Sequence, residues 1–200
     1  MGLSFHYSGS IADPALLPEL IDEIQDIANM YNWKYFVFER EFPENTFGKP
    51  DYNQKKIYGI CITPPECETI PICFLSNGRM SNYSHLYFYG KTDDRPEHEY
   101  LYMLSVKTQY AGVELHQFVI QFFRYLNKKY FTDFKMSDEG SYWETNDLAL
   151  LKKNFKRNLD FINSFASSLE YIPIQTGETM EFYFERLLKL LHDKKNHEDD

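Results

Sequence analysis

Phe134 to Leu148 reads FKMSDEGSYWETNDL and sets three acids, Asp138, Glu139 and Glu144, beside Tyr142 and Trp143. Adjacent carboxylates with another close behind suit a divalent cation, or the general acid and base of a hydrolytic reaction. The same letters also describe a turn and a helix start. Ser141 and Glu144 have capping-box spacing, and Thr145 followed by Asp147 offers a second cap with an acid in the first turn, where the helix dipole favours it.

Ser105 to His116, SVKTQYAGVELH, is the second stretch with chemical potential. Lys107, Thr108 and Gln109 stand at a strand end, and His116 lies about one turn into the following helix. A histidine there titrates near neutrality, yet it shares a helical face with Ile120 and Phe123 and reads equally as a core-edge residue bonded to backbone. His6 and Tyr7, on a first strand, reach the same edge if that strand is suitably directed. The candidate catalytic set is therefore His6, Lys107, His116, Asp138, Glu139 and Glu144, with Tyr7, Gln109, Tyr142 and Trp143 as candidate binding positions. The spacing that marks metal sites is missing, as are the nucleophile elbow, the Walker loop and the dinucleotide fingerprint. No metal site and no cofactor is assigned. Lys152, Lys153, Lys156 and Arg157 form one basic helix face, most simply its solvated side.

These residues must be positioned by elements that periodicity predicts. Leu3 to Tyr7 alternates as a short strand; Asp13-Pro14 caps a first turn, and a helix follows from about Pro18 to Tyr31. Trp33 to Phe42, Lys56 to Thr63 and Thr69 to Ser76 read as strands, His85 to Tyr89 as a weaker one and Tyr100 to Thr108 as a stronger one. Pro43 to Gln54 and the charged run Lys91 to Glu97 read as loops. After Gly112 an apolar stripe from Leu115 to Tyr130 predicts a helix, and Phe134 to Ser137 a short strand. A long helix from Thr145 ends at Pro173, and a last helix follows Thr176-Gly177, with a charged, frayed tail from His192 to Asp200. The fold class is α+β: a mixed, mostly antiparallel sheet with helices layered on one face and two C-terminal helices. We expect a single domain over residues 1–200, with residues 145–192 as its C-terminal helical part. If the strands before and after the Gly112 helix are parallel neighbours, Lys107 and Asp138 end at one edge of the sheet.

The formal net charge of -9 and the pI near 5.2 argue against nucleic acid as a partner, because phosphate binding needs a dense basic surface. No stretch approaches the roughly 20 apolar residues of a membrane span. Cys61, Cys67 and Cys73 are odd in number and unpaired in spacing; reduced thiols and a cytoplasmic location are expected, with Cys67 the most accessible. Aromatic residues make up 18% of the chain, so some rings must line a surface.

Three stretches, GLSFHYSG, VKTQYAG-x-E-x-H and SDEG-x-YWET-x-D, together resemble an uncharacterised family of bacterial proteins over most of the chain. The resemblance implies no activity; it implies only that the three stretches share one surface. Two functions follow from the residues. In the first, the chain is a small acidic interaction protein, of immunity or antitoxin type, that masks a basic surface on a protein partner; a homodimer stays open. In the second, the acid and histidine set lines a pocket for hydrolytic or metal-assisted chemistry.

Overall fold

The structure, a computed structural model, describes residues 3–91 and 99–198 of the 200-residue chain. Of the loop expected over Lys91 to Glu97, all but Lys91 lies outside the described residues, as do the last two residues of the tail. The chain divides into two compact units, Met1–Leu151 and Lys152–Asp200.

The strands are β1 Ser4–Ile11, β2 Lys34–Val37, β3 Tyr58–Thr63, β4 Ile70–Phe74, β5 Leu104–Lys107 and β6 Phe131–Asp138. They form two three-stranded sheets, ordered β5-β1-β6 and β2-β3-β4, in which every neighbouring pair is antiparallel. The α+β class holds; the strands expected in one sheet are shared between two. Alternation in β1 buries Phe5 and Tyr7 and turns His6 to solvent. β1 has Ser4 opposite Lys107 on one side and Phe5 opposite Asp138 on the other. β5 and β6 therefore run parallel to each other with β1 between them, and both C-terminal ends flank the start of β1. The register of β1 shifts between Ser8 and Ser10, where a Cβ on Gly9 would meet the Phe134 Cα at 3.0 Å. Only glycine lets the two backbones approach there. Beyond the bulge, Ile11 donates to the Gly78 carbonyl (3.0 Å) and Met80 donates to that of Gly9 (2.8 Å), while Met80 is also bridged to Phe74 of β4. The two sheets are stitched together through this strand end.

Helix α1, Leu17–Met30, follows a 3-10 turn over Pro14–Leu16 whose cap, Asp13, accepts from the Ala15 N–H at 2.8 Å. The separate first turn that Pro18 demands is thus formed. α1 packs on β2 and β3 with Leu17, Leu20, Ile21, Ile24 and Ala28 buried. β4 is buried at every residue, so both faces of its sheet are covered. On the Cys73 face the cover includes Leu86 of α2, Tyr83–Tyr89, together with Leu101 and Tyr102. α2 replaces the strand expected over His85 to Tyr89. Its aromatic letters are β-prone, but the Asn82 side chain caps it by accepting from the His85 N–H (2.7 Å), and burial of Leu86 holds it. Similarly, Tyr100–Tyr102 is a 3-10 turn and only Leu104–Lys107 is strand. Of Trp33 to Phe42 only the four residues of β2 are regular strand, with Phe38 and Glu39 continuing the pairing irregularly through bonds to Gly59 and Ile57.

Helix α3, Gly112–Tyr130, buries His116, Val119, Ile120, Phe122, Phe123, Leu126 and Tyr130 and packs on β6. A single turn, α4, Tyr142–Thr145, follows β6, and α5, Leu148–Tyr171, starts with Asp147 as its cap, accepting from Ala149 and Leu150. In the second unit, α6, Met180–Glu198, follows the Ile172–Thr179 connection and continues to Glu198, within the tail expected to fray. Phe165 stacks on Phe184, and Tyr183 donates to the Ile172 carbonyl at 2.7 Å. Arg186 makes paired bonds to Glu178, holding that carboxyl down at about 2.

Candidate functional site

At the edge where β5 and β6 end, α3 delivers His116 to the interior side of the sheet. Its Nε2 stands 3.0 Å from Oδ1 of Asp138, and both side chains are 0% exposed. Thr108, just past β5, places its hydroxyl 2.6 Å from the His116 Nδ1; its N–H donates to the Leu3 carbonyl at 3.0 Å, with the hydroxyl 3.4 Å from that same oxygen. A neutral ring protonated at Nε2 accepts the Thr108 proton at Nδ1. A charged ring donates to Thr108 instead, and the hydroxyl proton turns to Leu3. The hydroxyl can therefore serve either state of the imidazole.

The Asp138 carboxylate is also the cap of the turn that follows it. Oδ1 accepts from the Gly140 N–H (2.7 Å), and Oδ2 from Tyr142 (2.7 Å) and Trp143 (3.1 Å). Glu144 reciprocates by accepting from the Asp138 N–H at 3.0 Å. This is the logic of a capping box, with Asp138 in the place that spacing assigned to Ser141, which adopts a left-handed φ of 61° and makes no side-chain cap bond. Burial pushes the Asp138 carboxyl up. The hydrogen bond and charge of His116 and the N–H groups of Trp143 and Gly140 outweigh burial and hold it below its ordinary value. Gly140 closes the assembly: a Cβ there would meet Leu151 Cδ1 at 2.6 Å and both Asp138 Oδ1 and His116 Nε2 at 3.0 Å.

Asp138 and Glu139 are neighbours, so the strand turns them to opposite faces. Glu139 lies outside with His6, whose Nε2 is 3.8 Å from Glu139 Oε1, both side chains about half exposed at 51% and 48%. Glu139 Oε2 accepts from the Ser4 N–H at 2.8 Å. Lys107 donates its backbone N–H to Glu68 (2.8 Å), and its ammonium rests 5.6 Å from the Tyr110 ring centre. The expected convergence of His6, Lys107, His116, Asp138 and Glu139 on one edge is present, but not as one pocket. The sheet separates a sealed pair from an exposed one.

Of the candidate binding positions, Tyr7 is in the core, donating to the Pro71 carbonyl at 2.5 Å. Tyr142 is also buried, its hydroxyl accepting from Gln117 (3.0 Å) and Gln121 (3.1 Å). Gln109 is buried, with neither amide atom hydrogen-bonded among the described residues. Trp143 is half-buried, edge-on to Phe134, with the Arg124 guanidinium 5.6 Å from its ring. Arg124 bonds the Tyr142 and Trp143 carbonyls at 2.9 and 2.7 Å. The spacing of Gln117, Gln121 and Arg124 along α3 is a polar stripe that marks this contact, beside the apolar one.

The cysteines are free; Cys61 and Cys67 are half-buried and Cys73 is buried. Burial and the Glu68 charge push the Cys67 thiol up to about 12, so its expected accessibility does not make it reactive. Among the described residues, no three His, Cys, Asp or Glu side chains cluster to hold a metal ion, and no helix is long and apolar enough to cross a membrane. No protein family, curated protein or solved structure matches the chain.

Proposed function

We propose that this chain is an interaction module that binds and masks a basic surface of a protein partner, in the manner of an immunity or antitoxin protein. The observation that carries the reading is the exposure of large rings on folded elements: Phe36 on β2 is 60% exposed, and Tyr87 and Phe88 on α2 are each 68% exposed. Aromatic side chains left in water on ordered backbone are the usual anchors of protein interfaces. The acidic balance of the chain supplies the complementary field. By contrast, His116 and Asp138, central to the enzymatic reading, are spent on the fold and meet no solvent.

The test is photo-crosslinking in the native host, with benzoylphenylalanine replacing Phe36, Tyr87 or, as a control, Lys135. The reading requires one discrete adduct with a basic protein from a ring position and none from Lys135. Equal, diffuse labelling from all three positions would sink it.

A further inference from the structure

Resting on that reading, we infer that the partner docks by strand addition: an extended, basic segment of another protein pairs with the free edge of β2. β2 is the outermost strand of its sheet, with β3 as its only strand partner among the described residues. The Phe38 N–H, just past the strand, bonds across to the Gly59 carbonyl at 2.9 Å. Antiparallel alternation then turns the N–H groups of Tyr35 and Val37 away from β3. An outer edge with outward donors is a template for another strand, which proteins usually blunt with charge, proline or a cover. Here a single charge, the exposed Lys34, opens the edge, and Tyr35 and Phe36 follow it, both exposed and on opposite faces. An added strand would lie between these two rings, its alternate side chains packing on each.

Charge selects the occupant. α1, LPELIDEIQDIANM, contains four acids and no base, and it borders β2: Glu19 and Glu23 pair with Lys129, and Asp22 with Arg40, just beyond the end of the strand. Asp26 lies one turn further along the helix, exposed, and has no ion-pair partner among the described residues. On the helix that packs against the edge, Asp26 thus leaves negative charge that the paired acids do not. A second copy of this chain would bring a second net charge of -9 and the same acidic helix against it. A segment with lysine or arginine beside aliphatic or aromatic side chains suits both features.

The experiment pans a phage library of random twelve-residue peptides on the immobilised full-length protein and on two variants. Val37→Pro removes one outward donor and leaves both rings; proline is tolerated on an edge strand at a position that does not bond inward. Asp26→Lys reverses the flanking charge. Enriched peptides should be basic with alternating apolar residues, slow amide exchange at Tyr35 and Val37 at least tenfold, and lose at least tenfold in affinity to each variant. Should Val37→Pro perturb the fold, seen as a lowered melting temperature, the amide protection and the Asp26→Lys loss decide the matter alone. Peptides that bind both variants fully but fail on Tyr87→Ser would overturn strand addition while sparing the interaction reading. No enrichment at all would overturn both, and a concentration-dependent dimer that protects the Tyr35 and Val37 amides without peptide would assign the edge to a second copy.

Discussion

The backbone of Gly140 lies against the ring of His116 so closely that one added methyl would stand 3.0 Å from Nε2 and 2.6 Å from Leu151. Gly140→Ala is therefore expected to destabilise the protein by about 1–3 kcal/mol, the usual cost of overpacking. Chemical denaturation with an unchanged slope and a lowered midpoint would show it; an unchanged midpoint would mean the pair has room above it.

Asp138→Ala removes one partner of a buried pair and should cost about 3–5 kcal/mol, because His116 loses its carboxylate and three N–H groups lose their acceptor. Asp138→Asn keeps the shape and one acceptor oxygen and should cost less. A double-mutant cycle with His116→Ala measures the coupling; additive losses would show that the contact itself contributes nothing.

The carboxyl of Asp138 is held below its ordinary value in the folded chain. A lowered folded pKa adds stability that is complete above the unfolded value, about 3.9, and is lost as pH falls through the folded value. Wild type should thus lose stability faster than Asp138→Asn on acidification below about pH 4. Parallel melting curves across that range would contradict this.

Trp33 is buried beside Tyr31 and Phe118, whereas Trp143 is half-buried. Trp33→Ala should cost about 3–5 kcal/mol, and Trp143→Ala clearly less. Iodide should quench Trp143 preferentially, so Trp143→Phe should abolish most of the quenching; retained quenching would place Trp33 in contact with solvent.

All three thiols are raised, Cys67 to about 12, and full burial likewise raises Cys73 well above its ordinary value. Native protein at pH 8 should react slowly with a disulfide reagent, and all three groups rapidly once unfolded. A fast single-thiol phase in the native state would point to Cys67 as exposed.

Much of this arrangement was legible in the letters. The alternation of Leu3 to Tyr7 placed the first strand, and the passage from Lys107 through a helix to Asp138 foretold one shared edge. What could not be read was the side of the sheet: Asp138 and Glu139 look alike in sequence, and only the place where β6 ends sends one into the core and the other to solvent. The cap of α4 was hidden because Asp138 serves it from outside the spacing that singles out Ser141. α2 was missed because YSHLYFY is β-prone, and its helical state rests on Asn82 and on what Leu86 meets far along the chain. The exposure of Phe36 was equally unreadable, since it depends on which face of β2 the rest of the fold covers.

The central place of β1 constrains how the chain comes into being. Both strands that flank its beginning, β5 and β6, emerge from the ribosome late, and Thr108 and Glu139 tie off the backbone of Leu3 and Ser4 only then. At about 5–20 residues per second, roughly 7 to 27 s separate the synthesis of Phe5 from that of Asp138. Until Lys107 has been made β1 lacks both of its sheet neighbours, and until Asp138 it lacks one, so the N-terminal unit cannot close by vectorial folding. Its assembly is a late, long-range event, of the kind that topology makes slow.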